Sequence, residues 1–87
     1  MYVILVYDCG EKRVGKMLKL CRQYLHWIQN SVFEGEISEP KLKELIHKAN
    51  SIIDDETDSI IVFKHQSQLM MDKEVIGHNM NSTDNFL

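Results

Sequence analysis

Among the residues of this chain that could do chemistry, Asp8 occupies the most informative position. It ends the run Tyr2-Val3-Ile4-Leu5-Val6-Tyr7, whose near-continuous apolar character predicts a central strand covered on both faces. A carboxylate at the carboxyl end of such a strand stands where open sheets tend to place ligands. It could hold a hard cation such as magnesium, which takes one or two carboxylates together with waters and phosphate oxygens. The competing role is that of a turn aspartate, bonding the backbone N–H groups of Cys9-Gly10-Glu11. One carboxylate makes a thin metal site. A two-fold axis near the strand end would bring a second Asp8 alongside, and like charges held that close favour a shared proton or a cation between them.

A second constellation follows directly. Residues 11 to 22 carry Lys12, Arg13, Lys16, Lys19 and Arg22 against Glu11 alone, five positive charges to one negative, in a chain whose net charge is −3. At helical spacing Lys12, Lys16, Lys19 and Gln23 stack on one side. Val14, Met17, Leu18, Cys21, Tyr24 and Leu25 form the apolar side. A one-sign stripe is either a solvated face or a phosphate-binding one; an acidic protein can bind phosphates with one basic element. Arginine and lysine contacts of this kind position a duplex without reading its sequence. Ser31, Phe33 and Glu34 are further candidates, with turn, core and edge-strand roles as the alternatives. His26, His47, His65 and His78 lack the spacing of zinc ligands, and Cys9 has no paired histidine to make it a nucleophile.

These residues need elements to position them. Strand 2–8 is followed by a helix from Lys12 to about Leu25. Residues 27 to 37 alternate as strand, with Gln29-Asn30-Ser31 either a tight turn between two short strands or a bend in one long strand. Ser38 is a good N-cap, and Pro40 fits a first helical turn. Leu42, Leu45, Ile46, Ala49, Ile52 and Ile53 then recur at helical spacing. Asp54 to Asp58 is a polar break, Ser59 to His65 another strand, and Met70 to Ile76 a candidate fifth strand.

The economical architecture is α+β: a ferredoxin-like βαββαβ sandwich with both helices on one face of the sheet. The first strand is apolar on both faces, yet the helices cover only one. A second layer is therefore expected, most simply a homodimer with sheet faces packed together. The alternative cover is the C-terminal segment folding back. The expected organisation is one domain over 1–78 and a tail over 79–87, the tail forming a strand that packs on the partner subunit. An 87-residue chain has room for a single thin core and none for two catalytic lobes. No apolar run reaches the roughly 18 residues of a membrane span. The N-terminal run reads as a strand and not a signal peptide, so Cys9 and Cys21 read as reduced thiols of a cytoplasmic protein.

The Tyr7-Asp8 strand end, Arg13 in a basic helix, and Gln29-Asn30-Ser31-Val32-Phe33-Glu34-Gly35 together resemble the CRISPR-associated protein Cas2 family, over roughly residues 1 to 65. The resemblance implies a ferredoxin-like homodimer that partners the Cas1 integrase and supports double-stranded DNA during spacer acquisition. It also implies, for some members, a magnesium-dependent endonuclease acting on single-stranded RNA or double-stranded DNA. Asp8 matches the family's metal and catalytic aspartate, shared between subunits. Lys12, Arg13, Lys16 and Lys19 are expected to bind nucleic acid, and Tyr7, Ser31 and Phe33 to shape the cleft. Gly15 stands near the place where family members often carry a second basic residue. A reading from another class is a ferredoxin-like regulatory or protein-binding dimer with no nucleic-acid role.

Overall fold

A computed structural model of the chain describes residues 1–67 and 71–77. The elements run β1 (Tyr2–Asp8), α1 (Glu11–Arg22), β2 (His26–Gln29), β3 (Val32–Glu36), α2 (Glu39–Asn50) and β4 (Ser59–His65). They form one four-stranded sheet of order β2-β3-β1-β4, with every pairing antiparallel. This is the expected ferredoxin-like sandwich, and β1 is an inner strand, as its apolar run requires.

The strand alternation sorts β1 into two rows. Val3, Leu5 and Tyr7 are buried with Phe33 of β3, Met17, Leu20 and Cys21 of α1, and Leu42, Leu45 and Ala49 of α2. Both helices therefore pack on this face. The buried side of α1 is rotated from the expected stripe: Leu20 is buried while Val14 is 39% exposed. The helix lies against α2 as well as against the sheet, so sheet-facing periodicity alone misplaces its apolar arc.

The opposite row holds Tyr2, Ile4, Val6 and Asp8. Antiparallel partners share a face. The same outer surface therefore collects Val32, Glu34 and Glu36 from β3 and Ser59, Ile61, Phe63 and His65 from β4. Ile61 and Phe63 stand 51% and 55% exposed there. The chain also returns to this face: Lys73 makes an ion pair with the buried Glu34. The described residues 71–77 thus meet the outer surface through the Lys73–Glu34 pair.

Residues 27–37 are two strands, not one bent strand. Gln29 pairs with Val32 across the turn Asn30-Ser31, with an irregularity in register between Trp27 and Gln29. Asn30 takes the left-handed conformation (φ 43°), which asparagine tolerates better than most residues. The Trp27 indole N–H donates to the Asn30 carbonyl at 2.9 Å and holds the turn. Ser38 caps α2 by accepting from the Lys41 N–H at 3.3 Å. The fifth strand expected over Met70 to Ile76 is absent from its described part: residues 71–76 form no strand. They pair with no sheet edge, and Lys73 is instead spent on Glu34. The tail proposed for 79–87 lies outside the described residues. Among the described residues no helix is long and apolar enough to cross a membrane.

Candidate nucleic-acid and metal site around Asp8

Three chain segments converge at the carboxyl end of β1. The antiparallel register places the Asn30-Ser31 turn on one side, where the Tyr7 N–H donates to the Ser31 carbonyl at 3.1 Å. On the other side Asp8 pairs with Ser59, the first residue of β4. Beyond Asp8 the chain turns through Cys9-Gly10 into α1. Asp8 itself is exposed, on the outer face of the sheet, and its carboxylate has no hydrogen bond or ion pair among the described residues. An accessible, acceptor-only oxygen pair suits a hard cation. Among the described residues of one chain, no three His, Cys, Asp or Glu side chains are grouped to hold a metal.

The residue that organises this corner is one the sequence did not single out. Asp58, at the entrance to β4, has a side chain only 1% exposed. Its Oδ2 accepts from Arg13 Nε at 2.6 Å and from the Asp54 N–H at 2.9 Å. Its Oδ1 accepts from Arg13 Nη2 and from the Gly10 N–H, both at 3.1 Å, and from Thr57 Oγ1 at 3.2 Å. The Arg13 guanidinium, the Asp54 and Gly10 amides and the Thr57 hydroxyl together hold the Asp58 carboxyl well below the usual carboxylate range. The same partner raises Arg13 further.

Arg13, expected to bind nucleic acid together with Lys12, Lys16 and Lys19, is set apart from those lysines by its pairing with Asp58. Its guanidinium is turned inward onto Asp58, because a carboxylate with two free oxygens offers the fork geometry that arginine matches bidentately. Lys12, Lys16 and Lys19 remain exposed along α1 and make no ion pair among the described residues. Gly15 lies between Lys12 and Lys19 on that surface, with open space where a Cβ would stand.

Tyr7 and Phe33, expected to shape a cleft, belong to the core beneath the helices, their ring centroids 6.1 Å apart in a stacked arrangement. They lie on the face opposite Asp8, since Tyr7 alternates with it along β1. Burial pushes the Tyr7 phenol up, and the nearby Ser31 side chain acts the other way. Ser31, in the turn, is half-buried beside the strand end. Burial pushes the Cys21 thiol up to about 12, and burial followed by the Asp58 charge raises Cys9. Neither is a ready nucleophile.

A depression of about 490 Å³ lies at the other end of the sheet, between Tyr24, Glu36, Ile37, Lys41, Glu44 and Lys48. Its charged groups are already engaged: the Tyr24 hydroxyl donates to Glu44 at 2.5 Å and accepts from Lys48 at 2.9 Å, and Glu36 pairs with the Met1 amino group. The exposed carboxylate and basic helix at the Asp8 end are the better place to look for phosphate chemistry.

Residues 1–71 match the family model of the CRISPR associated protein Cas2. The chain belongs to the Cas2 family. A relative from Fusobacterium nucleatum, a CRISPR-associated endoribonuclease Cas2, is 44% identical over 92 residues, covering 100% of this chain and 87% of the relative. One of the same description from Thermotoga maritima is 47% identical over 77 residues, covering 88% of each chain. A Cas2 crystal structure superposes with a TM-score of 0.85 at 41% identity, over 92% of this chain and 90% of that one. Cas2 membership accounts for the ferredoxin-like sheet and gives the chain a CRISPR-associated role.

Proposed function

We propose that this Cas2 chain acts in the cytoplasm as a homodimeric subunit of spacer acquisition, with a magnesium-dependent endonuclease site formed by the two Asp8 residues. The observation that carries the reading is the position of Asp8. It continues the outward row of Ile4 and Val6, on the same sheet face as the exposed Ile61 and Phe63. An apolar face of that kind is the natural seat of a second copy, and a two-fold contact there would bring two acceptor-only carboxylates toward one another. Such a pair, with waters and substrate phosphate oxygens, satisfies the coordination magnesium prefers. A bound magnesium would supply Lewis-acid stabilisation and lower the pKa of a bound water.

The chain's own residues do the rest. The two Asp8 carboxylates hold the cation, and Lys12, Lys16 and Lys19 attract the phosphate backbone of single-stranded RNA or double-stranded DNA. The names of the relatives, as endoribonucleases, favour RNA as the first substrate to try. A second reading is favoured by there being one candidate carboxylate per chain: a dimer that supports duplex DNA and bridges Cas1 integrase subunits without cutting.

The deciding experiment compares the parent protein with Asp8→Asn, on single-stranded RNA and on duplex DNA, with magnesium and with chelator. Loss of cleavage in Asp8→Asn and in chelator, with dimer mass and melting temperature kept, supports the nuclease. Duplex binding without cleavage by either protein supports the bridging subunit. A dimer that neither cleaves nor shows salt-dependent affinity for nucleic acid overturns both and leaves the regulatory or protein-binding dimer.

A further inference from the structure

We propose that Asp58 is the positioning residue of the Asp8 site, and that Arg13 serves that site through Asp58 and not by touching phosphate. The proposal rests on the reading of Asp8 as a metal-holding carboxylate given above. Its grounds are geometric. The Asp8 carboxylate has no side-chain or backbone donor of its own among the described residues, so its direction depends on how firmly the backbone at 8–10 is fixed. That backbone is fixed from both ends by the entrance to β4. Asp8 pairs with Ser59 in the sheet, and two residues later the Gly10 N–H donates to the Asp58 carboxylate at 3.1 Å. Asp58 and Ser59 are neighbours, so the turn Cys9-Gly10 is strung between two adjacent anchor points.

Arg13 completes the clamp. Its guanidinium reaches back from the first turn of α1 and takes both oxygens of Asp58, at 2.6 and 3.1 Å. The same two oxygens also hold Asp54 and Thr57, so one carboxylate ties the β1–α1 turn, the helix and the α2–β4 loop. Gly10 has to be small for this arrangement: a Cβ there would stand 2.7 Å from Arg13 Nη2. A side-chain methyl would therefore displace the guanidinium from its pair. A buried ion pair is a weak source of stability compared with apolar packing, but a bidentate one fixes geometry closely. Groups that orient a metal ligand from outside its coordination sphere commonly matter 10–100-fold for affinity or activity, roughly the scale expected here.

The test uses Mn²⁺ as the probe. Free Mn²⁺ is measured by electron paramagnetic resonance, and single-stranded RNA cleavage is followed in parallel, for the parent protein, Asp8→Asn, Asp58→Asn, Arg13→Gln and Arg13→Lys. Asp58→Asn and Arg13→Gln should each weaken Mn²⁺ binding about tenfold or more and lower kcat with KM for RNA little changed. Dimer mass should be retained, and Arg13→Lys should recover part of the loss. If Asp58→Asn does not fold, Arg13→Gln carries the test, because it leaves the Asp58 carboxylate with its backbone donors. If Asp8→Asn loses metal and activity while both clamp variants behave as the parent, this proposal alone is overturned. If the clamp variants raise KM without touching Mn²⁺ affinity, Arg13 is a phosphate contact and the proposal is overturned in that way. If Asp8→Asn itself binds Mn²⁺ and cleaves normally, the reading of Asp8 falls first and this one with it.

Discussion

Glu34 and Lys73, 39 residues apart in sequence, form an ion pair on the outer face of the sheet. Glu34 is 4% exposed, and its neighbours across the strands are Ile4 and His26. A carboxylate so enclosed needs a partner, and removing one member of such a pair costs more than the pair contributes. Lys73→Met should therefore lower stability by about 1–3 kcal/mol in urea unfolding. Adding Glu34→Gln should return part of it. A coupling near zero in that double-mutant cycle would mean that the contact is incidental.

Asp58 makes the acid limb of the stability curve predictable in sign. Its carboxyl is held below the ordinary range by Arg13 and by the Asp54 and Gly10 amides, so the folded state binds its proton less readily than the unfolded chain does. The stabilisation is complete above the unfolded carboxylate value, about pH 4, and is lost as pH falls through the depressed folded value. Asp58→Asn should be less stable than the parent at pH 7, and the gap between them should narrow below pH 4. Parallel curves from pH 7 to pH 2 would contradict this.

The basic stripe predicts a salt dependence. With Arg13 engaged by Asp58, a dimer presents Lys12, Lys16 and Lys19 twice. If all six contact phosphates, affinity for nucleic acid should fall ~10³-fold between 50 and 200 mM salt. Lys16→Glu combined with Lys19→Glu should weaken binding and flatten the slope without unfolding α1, since both side chains are exposed. Arg13→Gln should leave the slope as it is. Fluorescence anisotropy across a salt series distinguishes these outcomes.

Gly15 offers a stability gain. It sits within α1, and a Cβ there would have nothing within 4 Å. Alanine costs less backbone entropy in a helix, so Gly15→Ala should raise stability by about 0.5–1 kcal/mol in the free protein. Thermal melting checks it directly. A fall in stability would mean that the bare backbone at this position is packed in a way the structure does not contain.

Much of this fold was legible in the sequence because the signals were local. The apolar run at 2–7, the Ser38 cap and the spacing of Leu42, Leu45 and Ala49 each declare an element over a few residues. The position of Asp8 was legible for the same reason. Its clamp was not. Asp58 closes a run of acids that reads as a solvated turn, and Arg13 reads as one more charge on a basic helix. Only the fold brings them together across 45 residues. The hairpin at Asn30-Ser31 was ambiguous because asparagine suits a left-handed turn and a bend alike. Tyr7 and Phe33 were expected to shape the cleft from the family resemblance; strand alternation puts Tyr7, and Phe33 packed with it, on the face opposite Asp8.

The sheet order has a consequence for how the chain is made. β1 leaves the ribosome before the other strands of this sheet, yet it lies inside the sheet, and its two ladders are completed by β3 and then by β4. Until His65 has emerged, the most apolar strand of the protein has an unpaired edge, the condition under which nascent chains associate wrongly. The Gly10 and Arg13 bonds to Asp58 span 48 and 45 residues and also wait for the chain at the entrance to β4. Arrival of β4 therefore closes the exposed edge and assembles the corner around Asp8 in the same step, so a chain interrupted before β4 has neither a protected sheet nor a site.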